Sequence, residues 1–276
     1  MVRRAWVHNA VIDTGAHFTQ DWRRNIRDVS VRKRPSNWAD INMRRRDGAL
    51  DLLKWLALLS MILDHLRYVG FSADWLYVPG RLAFPWFCLA MAANLARGGP
   101  SAGSWRYLGW LLLFSAVSEI PYRLFIPDPT TLNVMPTLVL GLLVARCWRT
   151  PTLEARGLAA AALLLAGLFS SQLMFGFFGV LLPLATLLVF KRSPLLALLP
   201  GLVCVAANQW RVLYGAAWLG DAVAIWGLVA CLIAPWLGLV LLRQAGRVHP
   251  MPMRRWAYGL YPGHFLVLLA VRQIAA

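Results

Sequence analysis

Apolar segments long enough to cross a bilayer follow one another from residue 49 almost to the C-terminus. A hydrocarbon layer of roughly 30 Å requires about 20 helical residues, and somewhat fewer where flanking side chains reach the headgroups. Hydrophobic residues make up 59% of the chain and charged residues only 14%, well below the charged share of a soluble domain. The sequence therefore predicts an all-α, polytopic transmembrane helical bundle of about nine spans (eight to ten), at residues 49–69, 80–96, 106–123, 132–148, 157–171, 175–190, 195–210, 221–242 and 256–273.

A basic segment precedes the first apolar one. Residues 1–46 include the stretches RRNIRDVSVRKRP and MRRR, and they supply a large part of the formal net charge of +16. Such polar, arginine-rich segments bury too little apolar surface to fold alone, and they are attracted to anionic lipid headgroups. We therefore predict a disordered cytoplasmic tail over residues 1–46 and a multi-pass membrane domain over residues 47–276. A nucleic-acid-binding arm is the alternative for the tail, and Met43 offers a second start of translation.

Basic residues in the loops orient the predicted spans. Lysine and arginine favour the cytoplasmic side of a membrane. Along this chain the loops alternate between rich and poor in these residues, without a break in the alternation. The pattern predicts a cytoplasmic N-terminus and, with nine spans, a C-terminus on the opposite side.

The first predicted span carries four ionisable residues. Its sequence, DLLKWLALLSMILDHL, places Asp51 and Lys54 near the cytoplasmic boundary and Asp64 and His65 near the far one. Lys54 and His65 are eleven residues apart, or about three turns, so they share one helix face at an axial separation of ~16 Å. Ionisable groups inside a membrane usually face the bundle interior or a watery cavity. For Asp51 and Lys54, snorkelling to the headgroups is the alternative.

Further polar groups are predicted near the same outer depth. They come from the stretches GRLAFPWF, SEIPYRLF, LNVMPTLVLGL and YGLYPGHFLVLL, which lie in four other spans. Two histidines, an aspartate, a glutamate and an arginine from this set and the first span are expected to face one outward-opening cavity, and such a set of groups suits proton transfer. For the two arginines, anchoring at the interface is the alternative. The residues concerned are Arg81, Glu119, Arg123, Asn133, Tyr261 and His264.

These stretches, in this order over residues 49–270, resemble the TraX family. The residues that carry the resemblance are DLLKWLALLSMILDH, GRLAFPWF, the Ser–Glu–Ile–Pro at 118–121, LNVMPTLVLGLL and the closing YPGH. The family's archetype is an enzyme of the bacterial inner membrane that N-acetylates conjugative pilin subunits, and TrbP-like relatives occur on IncP plasmids. The resemblance therefore implies a multi-pass acetyltransferase whose partner is a pilin subunit.

The first span also resembles that of membrane-bound acyltransferases that acetylate surface polysaccharides. Those enzymes carry a basic residue, ten intervening residues and a catalytic histidine, which match Lys54 and His65 here. Lysine replaces their usual arginine, so a point charge replaces a bidentate donor. This second resemblance implies acetyl-CoA as the acyl donor, with its phosphates at basic loops on the cytoplasmic side and the flexible loop RGGPSAG nearby. The candidate phosphate contacts are Arg97, Arg106, Arg146, Arg149, Arg254 and Arg255. For any one of these arginines, a role in membrane topology alone is the alternative.

The resemblance leads to a mechanism in which His65 is the general base for an acceptor amine. Asp64 or Glu119 would then hold the imidazole, and Arg81 or Asn133 would polarise the carbonyl oxygen, while Tyr261 would contact the substrate. Two variants stay open, namely an acetyl-histidine intermediate and His264 as the base. The four cysteines lack a metal-ligand spacing, so no metal is expected.

Two other functions stay open at this point. One is a non-enzymatic transporter or secretion-system scaffold, which would use the same buried charges as an ion path. The other is O-acetylation of a glycan or lipid. The chain shows no convincing internal repeat, which weakens the transporter alternative. The expected partners are the acceptor and membrane lipids rather than nucleic acid, and the oligomeric state is open.

Overall fold

A computed structural model describes residues 48–70, 73–98, 105–190, 192–208, 210–245, 248, 250–253 and 255–275. Over these ranges the backbone forms helices joined by turns and short loops, with no strand, so the all-α prediction is confirmed. The basic tail predicted over residues 1–46 lies outside the described ranges, as does Arg254. The side chain of Arg255 is likewise outside them.

Eleven α-helices occur in the described ranges, and each of the nine predicted segments coincides with one of them. The two remaining helices, the short α2 and α9, were not predicted and lie largely in the loops between predicted segments. Four 3-10 turns lie between the α-helices. The helices are α1 Gly48–Leu66, α2 Tyr77–Gly80, α3 Ala83–Arg97, α4 Trp105–Phe125, α5 Val134–Trp148, α6 Leu153–Leu168, α7 Gly176–Val189, α8 Leu198–Ala207, α9 Trp210–Trp218, α10 Ala222–Gln244 and α11 Leu260–Ala275.

Local chemistry sets several of these helix ends. The side chains of Asn133, Thr152 and Asp221 accept hydrogen bonds from the first free N–H groups of α5, α6 and α10. These residue types are the preferred N-caps because their side-chain oxygens satisfy donors that have no partner within the helix. Helix α3 ends at Gly98, whose φ of 67° is a left-handed conformation that glycine adopts without strain.

Two segments of the described chain are long and apolar enough to cross a membrane by themselves, Asp74–Arg97 and Ala222–Gln244. A third candidate is the bent pair Pro194–Ala207 and Val212–Trp218, whose halves meet at 95°. Many leucine, phenylalanine and tryptophan side chains also point outward from the helices. These features indicate membrane association, while the count of nine spans and the predicted orientation stay predictions.

Close helix packing brings the polar residues of different segments together. Helix α1 packs on α3, α5 packs on α6 and α7, and α4 packs on α5 and α11. The largest buried side chains include Phe125 of α4 and Phe265 of α11. Glycine permits the closest approach, because a Cβ at Gly201 of α8 would collide with the backbone carbonyl of Leu232 in α10.

Contacts between helix termini define two ends of the bundle. Arg81, just before α3, bonds Asp64 near the end of α1, and Arg146 near the end of α5 lies over the ring of Trp105 at the start of α4. Helices α1 and α3 are therefore antiparallel, as are α4 and α5. We call the end where α1 and α4 finish the histidine end. We call the end where α3 and α5 finish the arginine end.

Candidate functional site

Two histidines from distant parts of the chain meet at the histidine end. Nε2 of His264, one turn into α11, lies 3.0 Å from Nδ1 of His65 in the last turn of α1. The rings are nearly stacked, with centroids 5.0 Å apart and an interplanar angle of 29°. The sequence analysis predicted that both residues face one site, and the structure brings their ring nitrogens within hydrogen-bonding distance.

Aromatic side chains enclose this pair. The ring of Phe265 lies 5.0 Å from that of His65, and Phe125 meets His65 edge-on at 6.1 Å. His264 is only 7% exposed. The pair therefore lies in apolar surroundings, where a charged imidazole without a partner is costly.

Asp64, next to His65 in sequence, has different partners. One carboxylate oxygen accepts from Arg67 at 2.9 Å and the other accepts from Arg81 at 3.0 Å. The expected contact of Asp64 with an imidazole is thus absent from the described residues. The physical reason is helical phase, since consecutive residues project about 100° apart, which sends His65 towards α11 and Asp64 towards α3.

Arg81 is held by two further contacts that the sequence analysis did not anticipate. Its guanidinium donates to the side-chain oxygen of Asn208 at 2.7 Å and lies 4.1 Å from the ring centroid of Tyr77. Asn208 in turn donates to the carbonyl of Cys204 at 2.8 Å. The one signal in the sequence was the amide pair Asn208–Gln209 after the apolar stretch of α8, and nothing in it indicated the partner.

Gly80 makes the approach of Asp64 to Arg81 possible. A Cβ atom built on Gly80 would lie only 2.5 Å from the Cβ of Asp64, closer than real side chains come. Any larger residue at position 80 would therefore displace the carboxylate from Arg81. The glycine belongs to the stretch GRLAFPWF, which the sequence analysis singled out for its arginine.

Glu119 and Asn133 form a second polar cluster at the same end. One carboxylate oxygen of Glu119 accepts from the backbone N–H of Asn133 at 3.0 Å and from its side-chain amide at 2.7 Å. The other oxygen lies 2.7 Å from Nε of Arg123. Asn133 was predicted to polarise a carbonyl oxygen. Instead its side-chain oxygen caps α5 by accepting from Met135, so its hydrogen-bonding groups are engaged within the fold.

Tyr261 connects this cluster to the histidines. Its hydroxyl oxygen accepts from the backbone N–H of Val134 at 3.2 Å, beside the residue that Glu119 holds. Its ring centroid lies 5.5 Å from that of His264, one turn further along α11. Helices α1, α4, α5 and α11 therefore meet around one connected set of polar groups.

Lys54 lies on the other half of α1, towards the arginine end. Its ammonium is 3.5 Å from the carboxylate of Asp51, which is buried at 6% exposure. The neighbouring Trp55 donates to the carbonyl of Met251 at 2.8 Å, which fastens this part of α1 to the segment before α11. Lys54 and His65 are thus on the same helix, with Lys54 near one end of the bundle and His65 near the other.

The predicted phosphate contacts gather at the arginine end. The guanidinium of Arg146 lies 3.9 Å from the ring centroid of Trp105, beside Arg106 in sequence. A Cβ atom built on Gly98, the residue after Arg97, would lie 3.7 Å from a guanidinium nitrogen of Arg149. The ends of α3 and α5 and the start of α4 therefore bring four of the six predicted residues to one region.

The four cysteines are not paired in disulfides. Cys88, Cys147, Cys204 and Cys231 are buried free thiols. Across the described ranges, His, Cys, Asp and Glu form no group of three or more that could hold a metal ion.

Comparisons with known proteins place the chain in a family. The family model described as TraX protein matches residues 49–272. Protein TraX of Escherichia coli is 28% identical over 277 aligned positions, which cover 94% of this chain and all of that protein. Protein TraX of Escherichia coli strain K12 is 33% identical over 81 positions, or 29% of this chain and 33% of that protein. No solved structure matches the chain. The match covers most of the chain, including both histidines, and this chain therefore belongs to the TraX family.

Proposed function

We propose that this protein is a bacterial inner-membrane acetyltransferase that uses acetyl-CoA to acetylate an amine on the periplasmic side. The acceptor is the N-terminal amine of a conjugative pilin subunit, in keeping with the family resemblance. The observation that carries the proposal is the His65–His264 pair, a hydrogen-bonded set of proton-accepting groups enclosed by aromatic rings. Histidine is the side chain best suited to proton transfer near neutral pH.

The distribution of charge supports separate places for donor and acceptor. Coenzyme A carries several phosphates, and arginines gather at the arginine end, with Arg146 and Arg149 at the finish of α5. Guanidinium groups are strong phosphate ligands because they combine charge with several N–H donors. In the proposal the nucleotide binds at this end, the pantetheine arm extends past Lys54, and the thioester reaches the histidine end.

The reaction requires one general base, and that base is regenerated at the end of the reaction. His65 removes a proton from the acceptor amine as its nitrogen attacks the thioester carbonyl carbon. The carbon–sulfur bond then breaks, and the coenzyme A thiolate takes the proton from His65. The products are an acetamide and free coenzyme A. The alternative with an acetyl-histidine would add a second transfer through the same ring.

The decisive experiment supplies purified protein in lipid nanodiscs with labelled acetyl-CoA and mature pilin. The wild-type protein is expected to add one acetyl group to the pilin N-terminus, measured as intact mass and located by peptide sequencing. His65→Ala should lower the rate by about 10²–10⁴-fold, the usual contribution of a general base. Leu168→Ala is the matched control, since Leu168 is 77% exposed on α6, a helix that packs on α5 and α7.

Two results would overturn the proposal. One is an unmodified pilin with the wild-type protein under conditions in which acetyl-CoA binds. The other is an unchanged rate in His65→Ala. Solute uptake into proteoliposomes without acetyl transfer would instead favour a transporter.

A further inference from the structure

The hydrogen bonds of the histidine pair determine where its protons are. Nδ1 of His264 lies 3.3 Å from the backbone carbonyl oxygen of Leu260, one turn earlier in α11. A carbonyl oxygen can only accept a hydrogen bond, so Nδ1 of His264 is assigned the proton. This is the one contact of the pair whose donor is unambiguous, so it determines the direction of the other hydrogen bond.

The second proton follows from the first. A neutral imidazole has one N–H group and one acceptor nitrogen. With the proton of His264 on Nδ1, its Nε2 is the acceptor, and Nδ1 of His65, 3.0 Å away, must donate to it. Nε2 of His65 then carries a lone pair.

Both rings are neutral in this arrangement because the described carboxylates at this end have other partners. Asp64 is bonded to Arg67 and Arg81, while Glu119 is held by Asn133 and Arg123. Neither carboxylate bonds a histidine in the described part of the chain. An imidazolium without an anion is unfavourable in apolar surroundings.

Nε2 of His65 is the one ring nitrogen of the pair that makes no hydrogen bond to a described residue. Nδ1 of His65 and both nitrogens of His264 are engaged, as described above. The ring cannot turn freely, since Phe125 and Phe265 pack against it. The lone pair of Nε2 is therefore held in a fixed direction.

We infer that His264 is a positioning residue that fixes His65 in the Nδ1–H tautomer, with Nε2 of His65 as the atom that accepts the amine proton. The inference rests on the proposed function and names the atom that performs it. A histidine takes the place that a carboxylate occupies in a serine-protease triad. As Nε2 accepts the proton, charge on the His65 ring is stabilised through Nδ1–H by the His264 acceptor. The proton then passes from Nε2 to the departing thiolate, and His264 is unchanged.

Two variants of His264 separate positioning from packing. A glutamine side chain reaches the position of the imidazole Nε2, whereas an asparagine side chain reaches only that of Nδ1. His264→Gln can therefore accept from Nδ1–H of His65, and His264→Asn cannot. We expect kcat within about 10-fold of wild type for His264→Gln and a loss on the order of 10²-fold for His264→Asn, with little change in the KM for acetyl-CoA. Equal losses in the two variants, or a greater loss in His264→Gln, would overturn the inference.

A direct measurement of the tautomer is independent of activity. The chain has 5 histidines, so ¹⁵N spectra of histidine-labelled protein in nanodiscs can be assigned with His65→Gln and His264→Gln. We expect the wild-type His65 ring to carry its proton on Nδ1 and to show an unprotonated Nε2. A proton on Nε2 of His65 would overturn the inference.

The two proposals fail in different ways. If the wild-type protein transfers no acetyl group, the proposed function is wrong, whatever the spectra show. If the wild-type protein is active and His65 carries its proton on Nε2, the function stands and the assigned role of His264 is wrong.

Discussion

The two ends of the bundle use arginine in different ways. At the histidine end, Arg67 and Arg81 share the carboxylate of Asp64, and Arg123 pairs with Glu119. At the arginine end, Arg146 lies over the ring of Trp105, and Arg243 donates to the backbone carbonyl of Arg192. The first set of arginines is neutralised by the protein's own carboxylates, whereas these two contact groups without charge.

The paired arginines are expected to stabilise the fold, whereas the positive charges that contact uncharged groups remain available to attract an anion. A buried carboxylate left without its cation is strongly unfavourable, so an internal ion pair ties its helices together. A guanidinium against a ring or a carbonyl keeps its positive charge uncompensated and can still attract an anion. Charge changes should therefore lower stability at the histidine end and substrate affinity at the arginine end.

The largest effect on stability is expected for Arg81→Met. The side chains of Arg81 and Asp64 are 12% and 16% exposed, and the loss of one partner of a buried ion pair costs about 3–5 kcal/mol. Because Asp64 keeps Arg67, we expect the free energy of unfolding in detergent to fall by about 2–3 kcal/mol. Arg67→Met is the matched control and should cost about 1 kcal/mol, since Arg67 is nearer to solvent. An equal or greater decrease in the free energy of unfolding for Arg67→Met would contradict the prediction that Arg81 is the more important partner of Asp64.

A smaller loss is expected for Asn133→Ala. This change removes the N-cap of α5 and the side-chain donor to one carboxylate oxygen of Glu119, so the free energy of unfolding should fall by about 1–2 kcal/mol. Thr152→Ala is the control, because Thr152 caps α6 in an exposed position and should cost about 0.5–1 kcal/mol. If the two substitutions lower the free energy of unfolding equally, the side-chain contact of Asn133 with Glu119 contributes no stability beyond that of the N-cap.

The smallest effect on stability is expected at the arginine end. Arg149→Gln should change the free energy of unfolding by less than about 0.5 kcal/mol. In the proposed reaction it should raise the KM for acetyl-CoA by roughly tenfold, the equivalent of one charge-assisted hydrogen bond. Arg156→Gln, an exposed arginine on the neighbouring helix α6, should leave this KM unchanged. An unchanged KM in Arg149→Gln would remove Arg149 from the phosphate contacts.

Hydrophobic segments were sufficient to predict most of the fold. Each of the nine predicted segments coincides with a helix because a sustained apolar stretch has few other ways to satisfy its backbone in a membrane. The helices tolerate internal prolines at Pro121, Pro183 and Pro235. Helices α2 and α9 were missed because they are short and lie largely in the loops between predicted segments. The 95° bend between α8 and α9 has no signature in the composition.

The sequence indicated several residues of the candidate site, but it did not indicate which of them contact each other. Helical phase placed Asp64 and His65 in different directions, but no local pattern says that one meets Arg81 and the other meets His264. Asn208 was missed for the same reason, since its contact with Arg81 joins residues 127 positions apart. Such pairings arise from tertiary packing, and a single sequence contains no direct record of them.

The separation of the two histidines has a consequence for biosynthesis. They are 199 residues apart, so during translation α1 must be placed and folded long before its partner helix leaves the ribosome. The candidate site can then form only once α11 has docked beside α4. A nascent or prematurely terminated chain that lacks α11 would carry His65 without its hydrogen-bond partner, and its unpacked α1 and α4 would expose it to membrane quality control.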